Sequence, residues 1–271
     1  MSPAGRTIER HAGAAPAETA TRSSVLLLGH RVDRLRLDET ADRCREAVLR
    51  KERIHHVSLN AAKVVYARKD RRLAQAIDTA DLVSADGQPL VWVSRLLGAP
   101  LPERVTGIDL MLRLLELAEA ETFRVFFLGA RPDVLRRAIE NLTARHPRLV
   151  VAGSHDGYFR DSESDSICEA VNGAEPDIVF VAMSSPKKEY WVADHAGKLG
   201  VPVIVGVGGA LDVVAGDIAR APVWMQRAGL EWAFRLLQEP RRLWRRYLTT
   251  NARFLMIVAG ELVRRTPARL G

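Results

Sequence analysis

Cysteine is scarce: Cys44 and Cys168 are the only two in 271 residues, far apart and matching no metal or redox spacing. A disulfide-stapled scaffold and a thiolate metal site are thereby excluded, and free thiols in a reducing cytoplasm are expected. No two aspartates are separated by one residue, so the Asp-x-Asp arrangement that often carries a divalent ion is missing. His55 and His56 are neighbours in an apolar run and point to opposite faces of a strand, which makes a shared ligand role untenable. No metal is expected. A Gly-x-Ser-x-Gly nucleophile elbow is also missing. Long apolar runs are absent too: Phe254 to Gly260 stops at Glu261, far short of the roughly 20 residues that span a bilayer. Residues 1–24, rich in Ala, Thr, Ser and Arg, hold no apolar stretch of signal-peptide length and are expected to form a disordered tail.

What is present is a chain 47% hydrophobic and 27% charged, long enough to bury a sizeable core in one large domain or one domain plus an appendage. The net charge of +7 is unevenly spread. From Arg220 to Gly271 there are eleven Arg, no Lys and three Glu, a local +8, so the rest of the chain sums to about −1. Basic character belongs to the C-terminal segment.

Apolar, β-branched runs (Val25–Leu28, Ile54–Leu59, Asp81–Ala85, Phe123–Leu128, Leu149–Ala152, Asp177–Met183, Val201–Val207) alternate with helix-period segments. Two of those segments, Pro132–Arg145 and Pro186–Leu199, open with Pro near their first turn. The alternation predicts an α/β fold: a Rossmann-like, mostly parallel sheet with helices on both faces. In such sheets ligands collect at the carboxyl ends of strands. Asp86, in "SADGQPLVW", follows one run and precedes Gly87; Ser58 and Asn60, in "HHVSLNAAK", follow another. These polar groups should meet on one rim, although Asp and Asn at such places also simply cap the next helix. Gly129 in "FLGARPD" and Gly206, Gly208 and Gly209 in "VGVGGALD" lie at further strand exits. Their backbone suits a phosphate at a helix N-terminus, or a tight turn for steric reasons alone.

In "GLEWAFRLLQEPRRLWRRYLTTNARF", Leu243, Trp244, Tyr247 and Leu248 repeat at helical spacing while Arg241, Arg242, Arg245 and Arg246 fall largely on other faces. Arg with Trp and Tyr beside an apolar stripe describes a helix lying in the headgroups of an anionic membrane, or an ordinary docked helix with a solvated face. No nucleic-acid recognition motif accompanies the charge.

These blocks, with "ERVTGIDL", "SSPKKEYW" and "GVGGALDVVAGDIARAPVWMQRAGLEWAFRLLQEPRRLWRRYL", together resemble the WecG/TagA/CpsF glycosyltransferase family (glycosyltransferase family 26) from about Val25 to about Phe254. The resemblance implies an inverting, metal-independent hexosyltransferase with no cofactor beyond its UDP-sugar donor. The hexose would be of N-acetylmannosamine, uronic-acid or glucose type. It would pass to a polyprenyl-diphosphate-linked saccharide in surface polysaccharide synthesis, at the inner face of the cytoplasmic membrane. It implies a catalytic domain over 25–219 and a helical membrane-binding appendage over 220–271. Residue by residue, the family's Asp-Gly carboxylate falls on Asp86 as general base, and its Thr-x-Asn pair on Ser58 and Asn60. Its Arg-Val-x-Gly-x-Asp block falls on Arg104 and Asp109, and its appendage arginines on Arg235, Arg242 and Arg245. Lys188 stands beside Glu189 where the family usually has Gln, replacing a group that accepts and donates with one that only donates. Gly87, Gly129, Lys188, Glu189, Gly206, Gly208 and Gly209 complete the expected substrate contacts.

Two other classes share some of these features. A nucleotide-sugar epimerase would need a fuller Gly-x-Gly-x-x-Gly turn and a Tyr-x-x-x-Lys pair, whereas Tyr66 and Tyr190 have Asp70 and Asp194 four residues on. A nucleic-acid binder would show salt-sensitive binding without sugar turnover. The apolar face of the appendage would serve a homo-oligomer as well as a membrane.

Overall fold

The computed structural model describes residues 24–265, except the side chains of Arg227, Arg242, Leu243, Arg246, Tyr247 and Arg265. The expected N-terminal tail therefore lies almost wholly outside the described residues. The chain opens with an antiparallel hairpin, β1 (Ser24–Leu27) and β2 (His30–Asp33), followed by α1 (Leu37–Arg50). It continues through β3 (Ile54–Leu59), α2 (Ala61–Ala67), α3 (Arg71–Asp78), β4 (Leu82–Ala85), α4 (Gln88–Leu96) and α5 (Gly107–Glu121). Next come β5 (Arg124–Gly129), α6 (Pro132–Arg145), β6 (Val150–His155), α7 (Ser164–Gly173), β7 (Ile178–Ala182), α8 (Lys187–His195), β8 (Val203–Gly206) and α9 (Ala210–Val214). The last helices are α10 (Val223–Arg227), α11 (Glu231–Gln238) and α12 (Pro240–Arg265).

Strands β3 to β8 form one sheet in the order β4-β3-β8-β7-β5-β6, every pair parallel. The expected α/β class and parallel sheet are what the chain adopts. The run at Val25–Leu28 is the exception, since it pairs in the separate hairpin. That hairpin shields the β4 edge: Asp33 Oδ2 accepts the Val83 N–H at 2.8 Å, and Arg31 donates to Ala80 O at 2.6 Å and Asp81 O at 3.1 Å.

Side chains alternate between the two faces of the strands, so one apolar run feeds two cores. Ile54, Val125, Phe127, Ile178, Phe180, Val203 and Val205 pack under α1, α5, α6 and α9. On the opposite face, Phe126, Leu128, Val179, Val181 and Ile204 meet α7 and α8, and Val57, Leu59 and Val83 meet α2, α3 and α4. The adjacent histidines obey the same rule, His55 pairing in register with Ile204 and His56 with Val205. Burial pushes their imidazoles down to about 4 and about 3, so both stay neutral.

Helix starts follow local chemistry. Thr106 Oγ1 accepts the Asp109 N–H at 3.2 Å to cap α5, Asp70 Oδ1 caps α3 through Leu73 N at 3.0 Å, and Pro132 opens α6. The long α12 packs its second half onto α2, where Phe254 and Val258 are buried among Val64, Val65 and Leu73. Residues beyond 250 thus help close a core that begins at Leu27.

Candidate active site

Asp86 stands where β4 runs out. Its N–H donates to Leu59 O at 2.7 Å, carrying the ladder one residue past Ala85, and Gly87 at φ +116° then turns the chain into α4. Gly87, not Asp86, caps that helix. The carboxylate of Asp86 makes no hydrogen bond among the described residues. Burial pushes it above the ordinary carboxylate range; Lys63 opposes the rise, Glu231 adds to it, and Lys188 and Arg235 oppose it. A partly buried carboxylate free of structural duties and steered by cations is poised to take a proton.

On the neighbouring strand the outcome differs. Asn60 Oδ1 caps α2 by accepting the Lys63 N–H at 3.0 Å, so the helix-capping role describes Asn60 and not Asp86. Ser58 is buried, and its carbonyl accepts from Lys63 Nζ.

Beneath this rim lies a buried charge frame. Glu189, in the first turn of α8, meets Lys63 Nζ at 2.8 Å and Lys188 Nζ at 3.4 Å through the same oxygen, Oε1. Its other oxygen accepts the Ser185 hydroxyl at 2.8 Å. Burial alone would raise the Glu189 carboxyl, and the two lysines reverse this, holding it at about 2. Burial pushes the Lys188 ammonium down to about 8, with Lys63 adding to the fall and Glu189 and Asp86 resisting it. Glu189 therefore faces lysines, not solvent, and acts on the rim through them.

The glycine turns have steric reasons. A Cβ on Gly129, at φ +127°, would lie 2.5 Å from the Ala182 carbonyl carbon and oxygen. The Ala130 N–H that follows is spent on Ala182 O at 2.9 Å. At Gly206 a Cβ would fall 3.0 Å from Lys188 Cδ and 3.1 Å from Cε, so this glycine clears the path of the lysine stem. Val207 and Gly208 both direct their N–H groups to Val181 O, at 2.9 and 3.4 Å, while Gly209 lies beside the Asp212 carboxylate.

The "ERVTGID" block ties the C-terminal helices to the sheet. Arg104 donates to Glu231 Oε2 at 2.8 Å and to Gln226 Oε1 at 3.0 Å. Asp109 accepts from Arg220 and from the Thr106 hydroxyl, the latter at 2.7 Å. Arg104 and Asp109 thus hold α10, α11 and the segment before them. Arg235, on α11, acts electrostatically on both Asp86 and Asp212, which brings one C-terminal arginine to the rim. Arg245 is exposed on α12 with its guanidinium 5.2 Å from the Trp244 ring centroid. Arg242 belongs to the same helix, and its side chain lies outside the described residues.

A family model described as "Glycosyl transferase WecG/TagA/CpsF family" matches residues 25–268. The chain belongs to this family. The chain is also similar to proteins named N-acetylglucosaminyldiphosphoundecaprenol N-acetyl-beta-D-mannosaminyltransferase. The one from Bacillus spizizenii is 37% identical over 183 residues, covering 68% of this chain and 70% of its own length. Its counterpart in Bacillus subtilis is 32% identical over 200 residues, covering 74% and 77%, and that in Staphylococcus aureus is 35% identical over 189, covering 70% and 74%. This chain is therefore a glycosyltransferase of the WecG/TagA/CpsF family.

Three members of the constellation escaped sequence reasoning. Lys63 stands three residues after Asn60, and a lysine in a first helical turn reads as solvated surface. Glu231 and Arg220 partner residues more than a hundred positions away, Arg104 and Asp109, and no local pattern marks such pairs. A cleft of about 420 Å³ lies elsewhere, between α6 and the end of β6, lined by Pro132, Leu135, Arg136 and His155.

Proposed function

We propose that this glycosyltransferase moves an N-acetylmannosamine-type hexose from a UDP-sugar to a polyprenyl-diphosphate-linked N-acetylglucosamine, inverting the anomeric carbon without a metal. The named relatives support the sugar and the acceptor. The observation that carries the chemistry is Asp86: a carboxylate raised by burial, without a hydrogen bond among the described residues, at the carboxyl end of β4, the edge strand of the parallel sheet. In this reading the acceptor hydroxyl gives its proton to Asp86 as its oxygen bonds to the anomeric carbon. The bond from that carbon to the diphosphate breaks on the opposite face, and its electron pair leaves with UDP. A positioned base contributes about 10²- to 10⁴-fold. A carboxyl raised toward neutrality is a better base than one at its ordinary value. Arg235 would stabilise charge growing on the leaving diphosphate, which a guanidinium fork suits.

With a lipid-linked acceptor, the reaction in this reading would take place at a membrane surface. Among the described residues no helix is long and apolar enough to cross a membrane. Exposed Trp224, Trp244 and Leu248, interleaved with Arg241 and Arg245, support docking of α10 and α12 in anionic headgroups.

The test is UDP release from UDP-N-acetylmannosamine with and without a short-chain polyprenyl-diphosphate N-acetylglucosamine, comparing the native chain with Asp86→Asn. Acceptor-dependent release that falls about a hundredfold or more in the variant supports the reading. Release that survives the substitution moves the base elsewhere, and no acceptor-dependent release from this donor refutes the sugar assignment.

A further inference from the structure

Two buried ammonium groups share one carboxylate in this protein, and the sharing is unequal. Lys63 lies 2.8 Å from Glu189 Oε1 and also donates to Ser58 O; Lys188 lies 3.4 Å from the same oxygen. Glu189 Oε2 is taken by the Ser185 hydroxyl. Lys63 is thus neutralised and hydrogen-bonded. Lys188 has three N–H donors and, among the described residues, only the longer half of a shared ion pair. It is nonetheless 6% exposed. An ammonium in that state is costly unless a further acceptor arrives.

Geometry says where the acceptor would come from. The Lys188 stem crosses Gly206 at the end of β8, and its Nζ comes within 3.6 Å of where a Cβ on Gly208 would stand. The charge is therefore delivered to the turn between β8 and α9, at the carboxyl ends of the strands. The charged and titratable groups around it are Lys63 on α2, Glu189 on α8, Asp86 after β4, and His55 and His56 in β3. Counting Lys63 and Lys188 against Glu189 and Asp86, the frame is neutral with Asp86 ionised and cationic once Asp86 holds a proton.

We propose that Lys188 is an anion-binding residue of the active site, donating to an anionic oxygen of the sugar nucleotide: one on its diphosphate, or the carboxylate of an acidic hexose. The inference rests on the nucleotide-sugar reading above for the identity of the ligand, and on the buried lysine pair for the site. A neutral side chain here would leave the frame one positive charge short when the anion arrives. Gly206 is part of the device, because any larger residue would occupy the space of the lysine stem.

The experiment is calorimetric titration of the full chain, at fixed ionic strength and neutral pH, with inorganic pyrophosphate, UDP, UDP-glucose and UDP-glucuronate. Native protein is compared with Lys188→Met and Lys188→Gln, and with Lys198→Met as an exposed-lysine control. Loss of a charge-assisted hydrogen bond is expected to weaken binding about ten- to a hundredfold in both Lys188 variants and not in the control. If pyrophosphate, UDP and both UDP-sugars weaken together, the anion is the diphosphate; if UDP-glucuronate alone weakens, it is the sugar carboxylate. Lys188-dependent binding of pyrophosphate with no binding of UDP would uphold the anion site and remove the nucleotide reading. Equal affinities in native and Lys188→Gln protein for all four probes would overturn the inference while leaving the nucleotide reading intact. Lys188→Gln keeps a side chain that can hydrogen-bond Glu189, so a fold lost in the methionine variant would not spare the proposal.

Discussion

Replacing Glu189 by Gln strikes the charge frame at its centre. Its carboxylate touches Lys63 at 2.8 Å, Lys188 at 3.4 Å and the Ser185 hydroxyl at 2.8 Å. Because it is held at about 2 against an ordinary 4.5, its ionised form is favoured by about 3 kcal/mol more in the folded protein than in an ordinary glutamate. Removing one partner of a buried pair loses roughly 3–5 kcal/mol, because a stranded charge remains. Glutamine keeps the volume but leaves two ammonium groups facing a neutral amide. Urea unfolding followed by circular dichroism is expected to show Glu189→Gln less stable by about 3 kcal/mol or more. Combining it with Lys63→Met removes one stranded cation, so the double variant should be more stable than the two single losses together imply. The sign with pH is also fixed. The folded carboxyl lies below its unfolded value, so its contribution is complete above about pH 4.5 and is lost as pH falls toward about 2. A single variant within about 1 kcal/mol of native, or strictly additive losses, would refute the reasoning.

Gly129→Ala forces a Cβ to 2.5 Å from the Ala182 backbone at φ +127°, and should lower the melting temperature by about 6–12 °C, from a loss of about 3 kcal/mol. Phe254→Ala empties a site 4% exposed against α2 and should cost about 3–5 kcal/mol in urea unfolding; near-native stability would mean that α12 does not close the core. Arg104→Ala removes the bonds to Glu231 and Gln226, so amide exchange should rise in α10 and α11 while the β3–β8 strands keep their protection. Because burial raises Asp86, kcat/KM should fall on acidification through a pKa above the ordinary carboxylate value, and the residual activity of Asp86→Asn should lack that limb.

Much of this architecture was legible because its strands are buried on both faces. A parallel strand covered by helices reads as an apolar run, as in Ile-Val-Phe-Val-Ala of β7, and the bounds Ile54–Leu59 and Pro132–Arg145 match β3 and α6 residue for residue. β2 was not legible: His-Arg-Val-Asp carries its pairing information in Asp33 and Arg31, whose partners sit near β4. At the site, Asp86 was visible from the strand-to-helix handover. The pairing of Lys63 with Glu189 joins α2 to α8 on one face of the sheet, and neither residue signals the other locally. Gly206 was readable as a phosphate turn and stands in the structure as room for Lys188. One glycine serves either purpose, and only the tertiary neighbour decides.

The strand order also sets a sequence of events as the chain is made. β3 can pair with β4, and β5, β6 and β7 with one another, before β8 is made, but β8 is the strand that joins β3 to β7. A ribosome-bound chain that has emerged as far as Pro202 holds two half-sheets with open edges facing each other, the kind of exposed pairing surface that chaperones shield. Ser58, Asn60, Lys63 and Asp86 belong to one half; Lys188 and Glu189 belong to the other. Entry of β8 closes the sheet, and Asp86 and Lys63 then come to lie beside Lys188 and Glu189.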